Sequence, residues 1–172
     1  MQTVLIPSER IKVLMNPAVK MEIEKISGVK LSLGEEDGIQ IDSKDTVAEW
    51  KAVDIVKAIG RGFEPAKAFK LFNEEYVLKV INFKELFSNE KQRTRYKARI
   101  IGTKGKVKTT IEEVSGANVC IYGNTVSIIG KMDEAAFAES AVNMILNGAS
   151  HGSVFAMLRK TRQKMQEKEA PF

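Results

Sequence analysis

Residues 19–33 and 107–121 of this chain carry one pattern twice, 88 positions apart, with six of 15 positions identical and most others exchanging one apolar residue for another. After the next turn the offset falls to 86, where Val56, Ile59, Gly62 and Phe69 meet Val142, Ile145, Gly148 and Phe155. A period this long, present twice, means duplicated domains and not a solenoid of short units. The 172 residues suit two small domains, and they can bury a core without a metal or a disulfide. The boundary is expected near 74–76, giving domains at residues 1–75 and 76–165 and a frayed polar tail at 166–172.

Both copies predict the same elements. Val19, Ile23 and Ile26, like Val107, Ile111 and Val114, recur at i, i+4 and i+7, which is one apolar stripe of a helix. Ser-Gly at 27–28 and 115–116 ends that helix, glycine supplying the left-handed stop. An alternating strand follows at 29–33 and 117–121, then a turn and a second strand at about 39–42 or 125–129. A long amphipathic helix comes next, about 43–59 and 131–146, and a last helix begins near Glu64 or Ser150. Ahead of the first stripe, residues 3–7 read as a strand and 8–15 as a helix capped by Ser8. In the second copy the strand is 76–83 and the helix, rich in basic residues, about 90–101. The order per copy is β-α-α-β-β-α plus an appended helix, an α/β (α+β) fold.

Charge separates the copies that pattern unites. Residues 1–87 hold 13 basic and 14 acidic side chains, whereas residues 88–172 hold 14 basic and 8 acidic. From Lys91 to Lys108 there are eight basic residues and no acid, which is a footprint for a polyanion or else a solvated basic face. Cys120 and His151 stand alone in their residue types, excluding a disulfide framework within the chain and any site needing two imidazoles. No cofactor or metal is expected. No apolar run approaches a membrane span, and charges at Glu9, Arg10 and Lys12 argue against a signal peptide. The expected setting is intracellular, in the cytoplasm.

The chemistry concentrates at Arg99-Ile-Ile-Gly102-Thr103-Lys104-Gly105-Lys106-Val-Lys108, between two helices of the second copy. Glycine lets main chain approach a phosphate without a Cβ in the way, and the start of the following helix favours an anion. Ile-Ile-Gly-Thr-Lys-Gly, followed by the helix that ends in Ser115-Gly116-Ala117, resembles a type I KH domain with its GxxG loop. The duplication, together with Ala58-Ile-Gly-Arg61-Gly-Phe63 and His151-Gly-Ser-Val-Phe155, is similar to a narrower group. These are the archaeal two-KH ribosome-assembly factors, counterparts of the eukaryotic partner of Nob-one protein, and the likeness covers about residues 3–165.

That resemblance implies two tandem type I KH domains packed together. It implies a loop, Gly102, Thr103, Lys104 and Gly105, that clamps about four single-stranded nucleotides. Ile101 and Ile111 would line the groove with Val119 on the facing strand, while Arg99, Lys106 and Lys108 would steady the RNA backbone. The implied RNA is the 3′ region of precursor small-subunit (16S) rRNA. Implied protein partners are the PIN-domain endonuclease that trims it and the alpha subunit of translation initiation factor two. The first copy departs from the motif, because the counterpart of the loop is Leu14-Met15-Asn16-Pro17, without glycine or charge. Ordinary clamping there is not expected.

Other residues stay open on sequence alone. Arg95 and Tyr96 lie on the basic helix, where Tyr96 serves either packing or stacking. Arg61 either touches RNA or caps carbonyls, and His151 either meets a base or phosphate or caps its own helix. Trp50 is expected in core or interdomain packing and Cys120 in the core. No acid–base pair, oriented nucleophile or metal cluster converges in the sequence, so an enzyme is not expected. The competing classes are a general KH-type RNA binder of RNA turnover or translation, and a protein adaptor favoured by the near-neutral first half.

Overall fold

A computed structural model describes residues 1–169. The chain forms two compact units, Met1–Leu78 and a second from Lys79 onward. In the first unit the order is β1 (Gln2–Leu5), α1 (Ser8–Leu14), α2 (Pro17–Ser27), β2 (Lys30–Leu33), β3 (Gly38–Asp42), α3 (Thr46–Gly60) and α4 (Pro65–Ala68), then a 3-10 turn at Phe69–Phe72. Next come β4 (Tyr76–Asn82), α5 (Phe83–Leu86), α6 (Glu90–Ile101), a 3-10 turn at Thr103–Gly105, α7 (Lys106–Ser115), β5 (Asn118–Tyr122), β6 (Thr125–Lys131), α8 (Met132–Leu146) and α9 (His151–Glu169). Each unit has a three-stranded sheet with its last strand in the middle, β1-β3-β2 and β4-β6-β5. This is the β-α-α-β-β-α order of a type I KH domain, made twice.

Register places the two sheets' apolar faces alike. In the first, β1 and β2 both run antiparallel to β3, with Val4 opposite Ile39 and Leu31 opposite Ile41. In the second, β5 and β6 are antiparallel, with Val119 opposite Ile128. All six of these side chains are buried. Helix α3 covers its sheet with Ala52, Ile55, Val56 and Ile59, and α8 covers the other with Ala138, Ala141, Val142 and Ile145. Asp45 starts α3 by accepting the Val47 N–H at 3.0 Å, one of the unsatisfied donors of a helix start.

Several expectations need correction. Pro7, not Ser8, precedes α1, and no side chain caps that helix. A one-turn helix, α5, interrupts the path from β4 to α6, because Asn82 accepts the Lys84 N–H and Phe83 turns fully into the core. Trp50 is 61% exposed. The buried stripe of α3 lies about half a turn away from it, so it is not a core residue of its unit. Cys120 is half-buried. Residues 166–169 of the expected tail continue α9, in a run of good helix formers that holds no glycine or proline. Residues 170–172 of that tail lie outside the described residues.

Candidate nucleic-acid interface

The loop from Gly102 to Gly105 uses its two glycines for different purposes. Gly102 has φ +76°, and a Cβ there would come within 2.4 Å of the Val107 side chain and 2.9 Å of its N. That position serves close packing of the loop on the start of α7. Gly105 has φ +74°, but a Cβ there would meet nothing within 4 Å. Its glycine supplies the left-handed conformation and leaves open space above the backbone. Between them Lys104 is also left-handed, at φ 55°, a conformation that costs a side-chain-bearing residue about 1–2 kcal/mol. The Gly105 N–H closes the turn on the Gly102 carbonyl at 3.1 Å. Thr103, Lys104 and Lys106 are exposed around it, and no side chain caps the first turn of α7.

Of the eight cations from Lys91 to Lys108, three are committed inside the protein. Arg93 donates to the Phe87 and Ser88 carbonyls, both at 2.8 Å. Arg99, expected on the RNA backbone, instead donates to the Ala149 carbonyl at 2.5 Å and, longer, to that of Ile145 at 3.5 Å. It neutralises the partial negative end of α8. Lys108 pairs with Glu112 at 3.1 Å, one turn on. The other five (Lys91, Arg95, Lys97, Lys104 and Lys106) are in no ion pair among the described residues.

The groove differs from expectation as well. Ile111 and Val119 are 0% and 2% exposed, so they are core residues beneath the surface and line no groove. Their period-matched positions turn inward, because α7 must bury its stripe against the sheet. Ile101 is 37% exposed, on the last turn of α6 beside the loop, while its neighbour Ile100 is fully buried. Tyr96 stacks on Phe87, centroids 4.6 Å apart and planes 5° apart, with the Arg95 guanidinium 6.0 Å from the ring centroid. Arg61 is half-buried, and its N–H closes the end of α3 on the Lys57 and Ala58 carbonyls.

His151 stands at the head of α9 with Nε2 at 2.9 Å from the Arg99 carbonyl oxygen. A carbonyl only accepts, so Nε2 carries the proton. Arg99 therefore binds the end of α8 by its side chain and the start of α9 by its main chain, three residues before Gly102. The first unit keeps the arginine half of this clasp. Arg10 donates to Ile59 and Phe63 carbonyls at 2.8 and 2.9 Å, and these residues stand 86 positions before Ile145 and Ala149. Proline, Pro65, occupies the place of His151.

The repeated helix explains itself in the same way. In each unit a lysine pairs with a glutamate one turn on, Lys20 with Glu24 and Lys108 with Glu112. That glutamate also accepts a strand N–H, from Leu31 at 2.9 Å or Val119 at 3.1 Å. Ser27 and Ser115 each donate to the carbonyl four residues back, Ile23 or Ile111, and accept the N–H two residues on. Sequence reasoning missed Glu24 and Glu112 as strand caps, although their identity across the copies was the signal. Among the described residues no cluster of His, Cys, Asp or Glu could hold a metal, and no helix is long and apolar enough to cross a membrane.

Known proteins share this arrangement. The chain is 44% identical over 167 residues to a KH domain-containing protein of Methanocaldococcus jannaschii, covering 94% of this chain and 74% of that one. It is 30% identical over 127 residues to the pre-rRNA-processing protein pno1 of Aspergillus fumigatus, covering 72% of this chain and half of the fungal protein's length. Among solved structures it matches a chain from the a/eIF2alpha-aDim2p-rRNA complex of Pyrococcus horikoshii, with a TM-score of 0.86 and 39% identity over 95% of this chain and 94% of that one. Residues 77–163, which hold the loop and both helices that flank it, fit the model of the second KH domain of PNO1, a eukaryotic-type KH domain of type I, and the chain belongs to that family.

Proposed function

We propose that this chain is a ribosome-assembly protein that binds single-stranded RNA at the 102–105 loop of its second unit. The observation that carries this reading is the loop itself, open space over a left-handed Gly105 flanked by Lys104 and Lys106, which are in no ion pair among the described residues. Backbone without a Cβ admits a phosphate, the lysines neutralise it, and exposed Ile101 offers an apolar contact to a base. Thr103 adds a hydroxyl at the rim. Kinship with pre-rRNA-processing proteins, and with a chain solved together with rRNA and a/eIF2alpha, supports precursor rRNA as the target, which this reading takes to be that of the small subunit.

The region bound is the 3′ end of that rRNA, held single-stranded in the cytoplasm and presented to a separate PIN-domain endonuclease. The alpha subunit of translation initiation factor two is the second protein partner, by analogy with the Pyrococcus complex. The chain itself binds and positions, and cleavage belongs to the partner. Crosslinking to total cellular RNA followed by sequencing tests this. Reads concentrated at the small-subunit rRNA 3′ end are expected, and reads dispersed over messengers would overturn it in favour of a general KH-type binder.

A further inference from the structure

The clamp accounts for Lys104 and Lys106 but leaves the exposed face of α6 unexplained. Along that face Lys91, Thr94, Arg95, Ala98 and Ile101 follow one another at helical spacing, all exposed, and the line ends at Gly102. Its two cations are in no ion pair among the described residues, and between Arg95 and the loop the line carries only Ala98 and the apolar Ile101. A strand can therefore approach the helix closely over Ala98, with Ile101 as an apolar contact beside the loop. A surface hollow of about 430 Å³, lined by Glu90, Lys91, Thr94 and Arg95, opens at the far end. Glu90 is the one acid there, at the first position of α6, where the helix dipole offsets its charge. Behind the stripe, the Tyr96–Phe87 stack and the two Arg93 hydrogen bonds fix α6 against the segment before it.

We infer that the exposed face of α6 is a second RNA subsite, a track that takes the phosphates of nucleotides continuing beyond the clamp, with Lys91 and Arg95 as its anchors. The inference rests on the clamp reading and extends it. At 1.5 Å per residue, Arg95 lies about 10 Å and Lys91 about 16 Å from Gly102 along the axis. That is room for about two or three nucleotides beyond the roughly four that a KH groove takes. Lys97 points to a different face of α6 and is not part of the track.

The test uses the full chain and short RNAs from the 3′ end of archaeal small-subunit rRNA. The tightest-binding tetramer is lengthened by four nucleotides at either end, and affinities are measured against salt. Lengthening at one end is expected to tighten binding about tenfold. In a Lys91→Ala/Arg95→Ala variant, shown folded by circular dichroism, that gain disappears while tetramer affinity is unchanged. The salt slope for the longer RNA falls by about 1.4, some 0.7 per phosphate contact on a single strand. Lys160→Ala/Lys164→Ala, the same charge removed at the same spacing on α9, keeps the gain. Tetramer binding without a length gain, or a gain that survives in the α6 variant or vanishes in the α9 one, overturns the track alone. Absence of binding by both RNA lengths overturns the clamp and the track together.

Discussion

The joint between the first two helices of each unit holds the same place in the fold and has opposite chemistry. In the first unit Leu14 is fully buried, Asn16 Oδ1 is occupied by the Ala18 N–H at 3.0 Å, and Pro17 opens α2 without an N–H to offer. That joint satisfies itself. In the second unit the turn keeps a left-handed lysine, an uncapped helix start and open space over Gly105. Such a joint is less stable than it needs to be for folding alone, and the difference is expected where a ligand completes the turn. Both joints share the arginine that closes the third helix and the glutamate that caps a strand, while the histidine contact to that arginine's carbonyl belongs to the second unit alone. The binding chemistry of the joint thus differs between the units while the lysine–glutamate–serine contacts and the arginine's hold on the following helix end stay.

The comparison breaks most directly at the loops. Lys104→Asp or Gly105→Asp is expected to lower RNA affinity by about 100-fold, near 2.7 kcal/mol, with the fold retained. Asn16→Asp is expected to change it by less than about threefold. Equal losses, measured on one RNA at one salt concentration, would mean that the first joint clamps too. Gly102 does not serve this purpose, because any Cβ there collides with Val107 and confounds folding with binding.

Next in size is the shared framework. Glu24→Ala and Glu112→Ala each remove the acceptor of a partly buried strand N–H, so each should cost about 1–3 kcal/mol in denaturant unfolding. The two losses should be similar, and a large cost in only one unit would show that the duplicated contact has drifted in importance. A smaller effect separates the free lysines from the paired one. Lys104→Ala with Lys106→Ala should reduce the slope of log affinity against log salt by about 1.4. Lys108→Ala, whose charge is already neutralised by Glu112, should leave that slope within error. A slope change on losing Lys108 would mean that RNA displaces the internal pair.

This last pair of variants shows where sequence reading succeeds and where it fails. The six identities between residues 19–33 and 107–121 are Val, Lys, Ile, Glu, Ser and Gly, and the last five recur in one set of contacts that joins α2 to β2 or α7 to β5. They made the fold legible. They also marked Lys108 and Ile111 as framework, because a copy without the GxxG loop keeps both residue types at Lys20 and Ile23. A residue shared with a copy that lacks the loop carries no information about the loop's ligand. The loop-specific signal lies where the copies differ, at residues 102–105 and along the basic helix before them.

The sequence alone determined the duplication, the element order, the helix stops at Gly28 and Gly116 and the position of the glycine loop. All of these depend on residues close together in the chain, through periodicity of 3.6 or 2 and through the φ a glycine permits. The tertiary structure alone decided which cations remain available. Arg99 meets carbonyls 46 and 50 residues away, and His151 meets a carbonyl 52 residues back. Arg99 reaches carbonyls at and just past the end of α8 and His151 reaches one on the last turn of α6, so these contacts form only once the helices pack. A charge run in a sequence counts cations. The folded chain assigns some of them to its own helix ends and leaves the remainder to solvent or to a ligand.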